Sequence, residues 1–413
     1  MANTIITPSV IAKEALMQLE NNLVMANRVH REYRKEFTGG VGDTVSIRKP
    51  VKFYTADGAT RVNQDVEEKS TTITVDQRKH VSWKFSTQDL TLSVEEYSER
   101  YIKPAMITLA NTVDSSLHSL YTKVWNSVGT PGTTPANYAA VAAAAQRLDE
   151  MAVGSDNRSM VMTPAARYAL TGNQLTLDSV GSKGKSAYEK ALVGEVAMFD
   201  TYASQNVRNH AVGAHGGTPL VNGANQNVTY ANASGANSQT LVTNGWTNST
   251  TGVVKAGDVI TIAGVYAVNP VPGEGTTGKT VMPYLQQFTV LADADSGAST
   301  GPATLTISPA IITSGPYQTV SAAPADDAAI TVLGTASTAY PQNLGFHKNA
   351  FALVTVPLEM PDGAAFKARE SHNGLSVRVV KDYDIDSDED IIRIDMLYGR
   401  QAIYPDLACR LWG

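Results

Sequence analysis

The chain has 413 residues, 43% of them hydrophobic and 17% charged, which is enough for about two to four compact units at the usual domain size. The single cysteine, Cys409, excludes an internal disulfide framework and a four-cysteine zinc site. A net charge of −6, from 33 basic and 39 acidic side chains, argues against a protein that coats nucleic acid, because such binding neutralises phosphates with Lys and Arg.

Residues 1–20 lack the apolar run of a secretory signal, and no stretch approaches the ~18 apolar residues of a membrane span. A protein made and kept in the cytosol, without membrane contact, is expected. Thr7-Pro8 marks a helix start, with Thr as the cap and Pro in the first turn. Ala12, Leu16, Leu19, Leu23 and Ala26 follow at helical spacing as one apolar stripe, and Lys13, Glu14, Glu20 and Arg28 take the other face. Such a helix must dock its stripe on its own body or on another subunit. Gly39-Gly40 then breaks the chain. Thr44–Arg48 alternates as a strand, and Thr71–Phe85 reads as its partner. Asp57, Arg61, Asp65, Glu67, Glu68 and Lys69 lie between them, so the pattern is a long hairpin with a highly charged tip. A two-stranded ribbon is marginal alone and needs a surface to lie on. A solvated tip and a tip paired with a neighbouring surface fit the pattern equally.

Met106, Leu109, Val113, Leu117, Leu120, Val124 and Val128 keep a helical rhythm until Gly129 and Pro131 stop it. This predicts a helix over 104–128, roughly 37 Å long. A helix at Tyr138–Met151, a strand at Ser159–Met162, a short helix from Thr163-Pro164, a helix near Ser186–Leu192 and a strand at Phe199–Tyr202 follow.

The charge then falls. From Ala211 to Asn343 only eight of 133 residues are charged, about 6% against about 23% elsewhere, and no arginine occurs between Arg208 and Arg369. Val259–Ile262, Phe288–Leu291 and Thr304–Ile307 alternate or run apolar at strand length among Gly and Asn turns. Residues 211–343 therefore read as an all-β domain with a loose first third. Charge-normal sequence resumes beyond it, so the domain is inserted rather than appended. Chains tolerate insertion when the two crossing points lie close together. Ala350–Val356 and Leu375–Val380 then read as strands, Asp382–Asp390 as an acidic turn, Ile391–Tyr398 as its return strand, and Leu411-Trp412-Gly413 as the end of a last apolar strand or tail. The host is α+β, with one long helix crossing an antiparallel sheet.

No catalytic, cofactor or metal motif is complete. Gly184-Lys185-Ser186 ends like a phosphate-binding loop, but Ser179 stands where its first glycine belongs. Gly40 and Gly42 lack the third glycine of a dinucleotide turn. In an EF-hand register from Asp384, Glu389 holds the glycine position and Asp395 the bidentate glutamate position. A solvated turn is the simpler reading there, and another mode of cation binding stays open. The histidines form no His-x-x-x-His pair, and no Gly-x-Ser-x-Gly elbow occurs. Cys409, among Leu407, Ala408 and Leu411, reads as a small buried hydrophobe. No enzymatic activity and no cofactor are expected.

The order of parts is helical arm, charged hairpin, long helix, α+β body, β insertion and return to the body. Together with the wording of Glu195–Asn206, Lys255–Val265, Asn343–His347 and Leu397-Tyr398-Gly399, it resembles the major capsid proteins of tailed phages with the HK97-type fold. More narrowly it is similar to the P22-type coat proteins, which carry an extra β-barrel insertion. The resemblance implies an N-terminal arm at 1–38, an extended-loop hairpin at 39–86, peripheral and axial domains at 87–210 and 344–413 with a spine helix near 104–128, and a barrel-like insertion at 211–343. It implies a subunit that self-assembles into the pentamers and hexamers of an icosahedral shell. That procapsid would form around scaffolding protein with a portal at one vertex, then expand as it encloses double-stranded DNA without sequence-specific binding. The protein would be found in the virion capsid, after assembly in the bacterial host cytoplasm. The arm and the extended loop would contact neighbouring subunits through Arg28, Arg31, Arg48, Lys49, Lys52, Arg61, Asp65, Glu67, Glu68 and Lys69. The Lys–Asn crosslink of some capsid proteins is not expected in this branch. The alternatives are an encapsulin-like compartment shell, which would lack the β insertion, and a virion decoration or adhesion protein, which leaves the hairpin and long helix without a purpose.

Overall fold

The computed structural model describes residues 8–37, 43–53, 55–56, 58–64, 66, 68–86, 101–177, 194–230, 237–271, 279–364, 366–372 and 374–412. The helix expected near Ser186–Leu192 and the Gly184-Lys185-Ser186 segment lie outside the described residues. The chain divides into two compact units. One comprises Met1–Ser46, Thr72–His118 and Phe351–Gln401; the other comprises Ile47–Thr71, Ser119–Ala350 and Ala402–Gly413.

In the first unit the helix Pro8–Asn22 buries Ala12, Ala15, Leu16 and Leu19, as its stripe requires. It packs on the helix Lys103–His118 and on the strands Phe366–His372 and Leu375–Asp384. Five strands form the sheet of this unit. Phe351–Val356, Glu389–Ala402, Leu375–Asp384 and Phe366–His372 lie in that order, and Gln77–Ser86 also pairs with Glu389–Ala402. That last pairing runs from Tyr398 opposite Gln77 to Glu389 opposite Ser86. The ribbon is therefore shorter than its sequence suggests, since it is Lys69–Thr74 that pairs with Thr44–Lys49. Gln77–Ser86 alternates just as a ribbon strand would, but Val81 and Trp83 find Ile394 and Ile392 opposite them in the sheet. Gly399 is what lets that sheet strand pass the bend, because a Cβ there would meet the Thr74 carbonyl oxygen at 2.4 Å.

The spine helix also ends early. It spans Lys103–His118, about 24 Å, followed by a 3₁₀ turn at Ser119–Lys123 and a short strand at Ser127–Val128. Ser127 and Val128 pair in parallel with Arg410 and Leu411, a tertiary contact that overrides the local helical rhythm. Leu120 and Val124 are still buried.

In the second unit a six-stranded sheet runs Ser127–Val128, Ala408–Leu411, Asn343–His347, Arg158–Met162, Phe199–Ala203, Glu195–Val196. The helix Tyr138–Glu150 starts where the Asn137 side chain accepts the Ala140 N–H at 2.9 Å. It lays Val141, Ala144 and Leu148 against Met160, Phe199 and Cys409. Complete burial pushes the Cys409 thiol up to about 12, which fits the small hydrophobe read from sequence.

The charge-poor stretch forms a second six-stranded sheet of antiparallel pairs in the order Ile330–Val332, Val259–Val268, Val281–Val290, Ala303–Ser308, Gln239–Trp246, Gly217–Val221. Its two end strands meet through a bridge between Leu220 and Ala329, and the Val221 N–H donates to the Ala328 carbonyl at 3.0 Å. Closure removes the exposed edges that an open sheet would offer. Leu241, Trp246, Ile260, Phe288, Leu305 and Ile307 fill the interior, each such side chain contributing about 1.5–3 kcal/mol by burial. The strand leading in, Asn209–Ala211, pairs antiparallel with the strand leading out, Ala339–Pro341, with His210 opposite Tyr340. The barrel thus stands on a two-stranded stalk. Among the described residues no helix is long and apolar enough to cross a membrane.

Candidate functional site

The arm is held by one buried carboxylate. Asp114 lies on the spine helix in line with Ala110 and Leu117. Its Oδ2 accepts the Val24 N–H at 2.6 Å and its Oδ1 the Ala26 N–H at 3.0 Å. Burial pushes this carboxyl up, and the backbone donors of Val24, Ala26 and Met25 oppose that shift. Asp114 therefore anchors the turn that follows the N-terminal helix. Asn27 helps by donating to the carbonyls of Glu20 and Leu23 at 3.0 and 2.8 Å. The Arg31 guanidinium donates to Asn27 Oδ1 at 3.3 Å; burial lowers its pKa and Glu20 counters the shift. Arg28 is half-buried, with its N–H on the Met25 carbonyl at 2.9 Å. The Arg31 guanidinium thus sits within the arm's own packing.

On the ribbon, Arg48 pairs with Glu68 at 3.3 Å, with both side chains exposed, a contact worth about 0–1 kcal/mol. Glu68 is matched inside its own ribbon, while Arg61 is exposed. Asp65 and Glu67 lie outside the described residues. Lys49 sits over the Tyr404 ring at 4.9 Å and Lys69 over the Tyr230 ring at 5.8 Å, and the Lys52 N–H donates to the Tyr317 hydroxyl at 3.2 Å.

A buried polar network fastens the barrel. Asp258 Oδ1 meets His210 Nε2 at 2.7 Å, and Oδ2 accepts the N–H groups of Lys255 and Gly213 at 2.7 and 3.1 Å. His210 Nδ1 lies 3.0 Å from the Tyr121 hydroxyl. A neutral ring with its proton on Nε2 satisfies both partners. Beside them Arg410, fully buried, donates to the Gly257 carbonyl at 2.6 Å and to Thr289 Oγ1 at 3.1 Å. Burial pushes Arg410 down to about 10, with Tyr121 and Asp258 countering. Ser127 and Gln287 exchange two hydrogen bonds, at 2.7 and 2.9 Å. These groups resemble an acid–base relay in their order, and the hydrogen bonds above run among themselves and to backbone.

A third buried carboxylate, Asp395, sits in the first unit's sheet, opposite Arg378. Arg378 Nη2 reaches it at 2.5 Å and Arg393 Nε at 2.7 Å. Burial pushes this carboxyl up; the two guanidinium hydrogen bonds outweigh that and hold it below the usual carboxylate range. Asp395→Ala is expected to cost about 3–5 kcal/mol in urea unfolding, because it strands two guanidinium groups. The folded pKa lies below the unfolded one, so the stabilisation is complete above about pH 4 and is lost as pH falls through the folded value. The acid slope of stability should therefore flatten in Asp395→Asn; an unchanged slope contradicts the assignment.

Among the described residues, no three His, Cys, Asp or Glu side chains converge as a metal set. In the acidic turn, Asp384 instead accepts from the Ser387 hydroxyl at 2.8 Å and the Asp386 N–H at 3.1 Å.

The family model described as "P22 coat protein - gene protein 5" matches residues 1–413. The chain belongs to the P22 coat protein family. It is a shell-forming major capsid subunit. A curated relative, the major capsid protein of Acyrthosiphon pisum secondary endosymbiont phage 1, is 23% identical over 416 residues, covering 98% of this chain and 97% of its own length. Among solved structures, the chain is similar to one from Mycobacterium phage Che8, at 14% identity over 94% of this chain and 90% of that one, with a TM-score of 0.49. It is also similar to the mature capsid of bacteriophage PhiM1, at 12% identity over 89% and 81%, with a TM-score of 0.41.

In this coat subunit the phrases that carried the resemblance have physical work. Gly257 in Lys255–Val265 has φ +104°, and a Cβ there would meet the His210 ring at 3.1 Å. Its neighbour Asp258 anchors the network above. Sequence reading gave no role to Asp114, His210, Asp258, Asp395 or Arg410. For Asp114 a signal existed, an acid set on an apolar helical stripe.

Proposed function

We propose that this coat subunit assembles in the bacterial cytoplasm as pentamers and hexamers around a scaffolding protein, with a portal at one vertex, and that the shell then expands as double-stranded DNA fills it. The ribbon carries this reading. Its paired strands form a sheet of two, and between them Phe53 and Val66 stand 52% and 62% exposed. A ribbon of two strands is marginal in water, and its apolar side chains gain by lying on a second copy. Shell growth also needs many weak contacts, so that errors can dissolve, and exposed ion pairs supply them. The net charge of −6 suits a wall that encloses DNA without gripping it. The subunit acts by assembly, without catalysis. The barrel on its stalk, read as an insertion at 211–343, separates it from a compartment shell that lacks one.

Reversing Glu67 and Glu68 together to Lys should lower the fraction that sediments as shells several-fold in a sucrose gradient, with co-expressed scaffold present. The circular dichroism of the subunit should stay unchanged. Normal yields of shells from that variant would remove the ribbon from the account.

A further inference from the structure

Four lysines of the second unit lie at or near aromatic rings, three of them beside one stack and its next residue. Tyr230 and Tyr317 lie with ring centroids 3.7 Å apart and planes 4° from parallel. Lys69 Nζ stands 5.8 Å from the Tyr230 centroid, and Lys52 is tied by its N–H to the Tyr317 hydroxyl at 3.2 Å. Next along the chain from Tyr317, the Gln318 carbonyl accepts Lys279 Nζ at 3.0 Å. Lys49 adds a fourth ammonium over Tyr404. Lys52 is exposed, Lys49 and Lys69 are half-buried and Lys279 is buried.

The grouping is costly for the subunit alone. Burial, then Lys49, pulls Lys69 down to about 8, with Asp406 opposing and Lys52 adding to the fall. Burial, then Lys52, pulls Lys279 down to about 7. A negatively charged partner relieves both effects.

The chain itself carries a partner of that chemistry. Asp382, Asp384, Asp386, Asp388, Glu389 and Asp390 crowd the turn between two sheet strands. Ion pairs engage Glu389 with Lys84 of the adjacent strand Gln77–Ser86 at 2.7 Å and Asp390 with Lys381 inside the hairpin at 3.1 Å. Ile385, at the turn, is 81% exposed, and Phe53, next to Lys52, is also exposed, so an apolar contact accompanies the charges.

We propose that the acidic turn Asp382–Asp390 of one copy docks on Lys49, Lys52 and Lys69 of a neighbouring copy, with buried Lys279 adding positive charge beneath them. The contact rests on the shell reading and deepens it. Its two surfaces differ, so it is heterologous, the type that closes rings by rotation. The charge match on the same chain favours a second copy over a small anion.

The test mixes unlabelled and heavy-isotope-labelled subunits, lets them assemble, and treats the particles with a zero-length carbodiimide crosslinker. Mass spectrometry should find amide links between Lys49, Lys52 or Lys69 and the 382–390 turn, in mixed-isotope pairs. Absence of mixed pairs overturns the proposal. A charge swap gives a second reading. Lys52→Glu with Lys69→Glu, and separately Asp384→Lys with Asp386→Lys, should each cut shell yield at least about tenfold, and the chain carrying both sets should recover. Normal shells from either half-swap sink the contact and leave the shell reading standing. Failure of the combined chain to recover, with parent-like circular dichroism, also sinks the contact. A parent chain that never assembles sinks both.

Discussion

Asp258→Ala is expected to cost the subunit about 3–5 kcal/mol and to loosen the barrel on its stalk. The substitution leaves the buried N–H groups of Lys255 and Gly213 without their acceptor and His210 Nε2 without its partner. Each buried donor left unmade costs about 1–3 kcal/mol. It also removes a charge that counters the buried Arg410. Because the chain has two units, a single midpoint is a poor readout, and local amide exchange is the better one. The amides of Gly213 and Lys255 should lose protection while those of Val379 and Ile394, in the other unit's sheet, keep theirs. Asp258→Asn, which keeps one acceptor oxygen, should fall between parent and Ala. Equal protection in all three proteins would refute the anchoring role.

Asp114→Ala is expected to cost about 2–4 kcal/mol and to free the turn after the N-terminal helix. The Val24 and Ala26 N–H groups lose their acceptor. Limited proteolysis should then cut near residues 22–31 several-fold faster than in the parent. The pH sign is opposite to that of Asp395. Burial raises the folded pKa of Asp114, so its share of stability is fullest below the unfolded value and is lost as pH rises through the folded one. Asp114→Asn should therefore lose the pH-dependent part and keep part of the clamp. A parent-like cleavage pattern in Asp114→Ala would contradict the clamp.

What the sequence disclosed follows from where each signal lives. The N-terminal helix was legible because its first-turn proline and its apolar stripe are both local. The barrel was legible because charge is absent over a long stretch and strand-length apolar runs recur. The end of the spine helix was not legible, since Ser127 and Val128 leave the helical rhythm for partners at Arg410 and Leu411, far along the chain. The strand Gln77–Ser86 posed the same problem, because its alternation suits a ribbon and a sheet equally and its partner near Ile394 decides. The buried charges were least legible. An aspartate reads as surface by default, and only packing shows that Asp114, Asp258 and Asp395 are enclosed by donors. Within one subunit, Arg31 reaches Asn27 of its own arm, Arg48 pairs with Glu68, and Lys69 lies over the Tyr230 ring, contacts that no local pattern announced.

The most direct measurement is cryo-electron microscopy of the chain overexpressed with a co-expressed scaffolding protein. The expected result is closed shells of pentamers and hexamers, with the ribbon Thr44–Thr74 of each subunit lying on its neighbour and the barrel standing on the stalk at 209–211 and 339–341. Dispersed monomers under those conditions, or shells in which the ribbon touches no other copy, would contradict it.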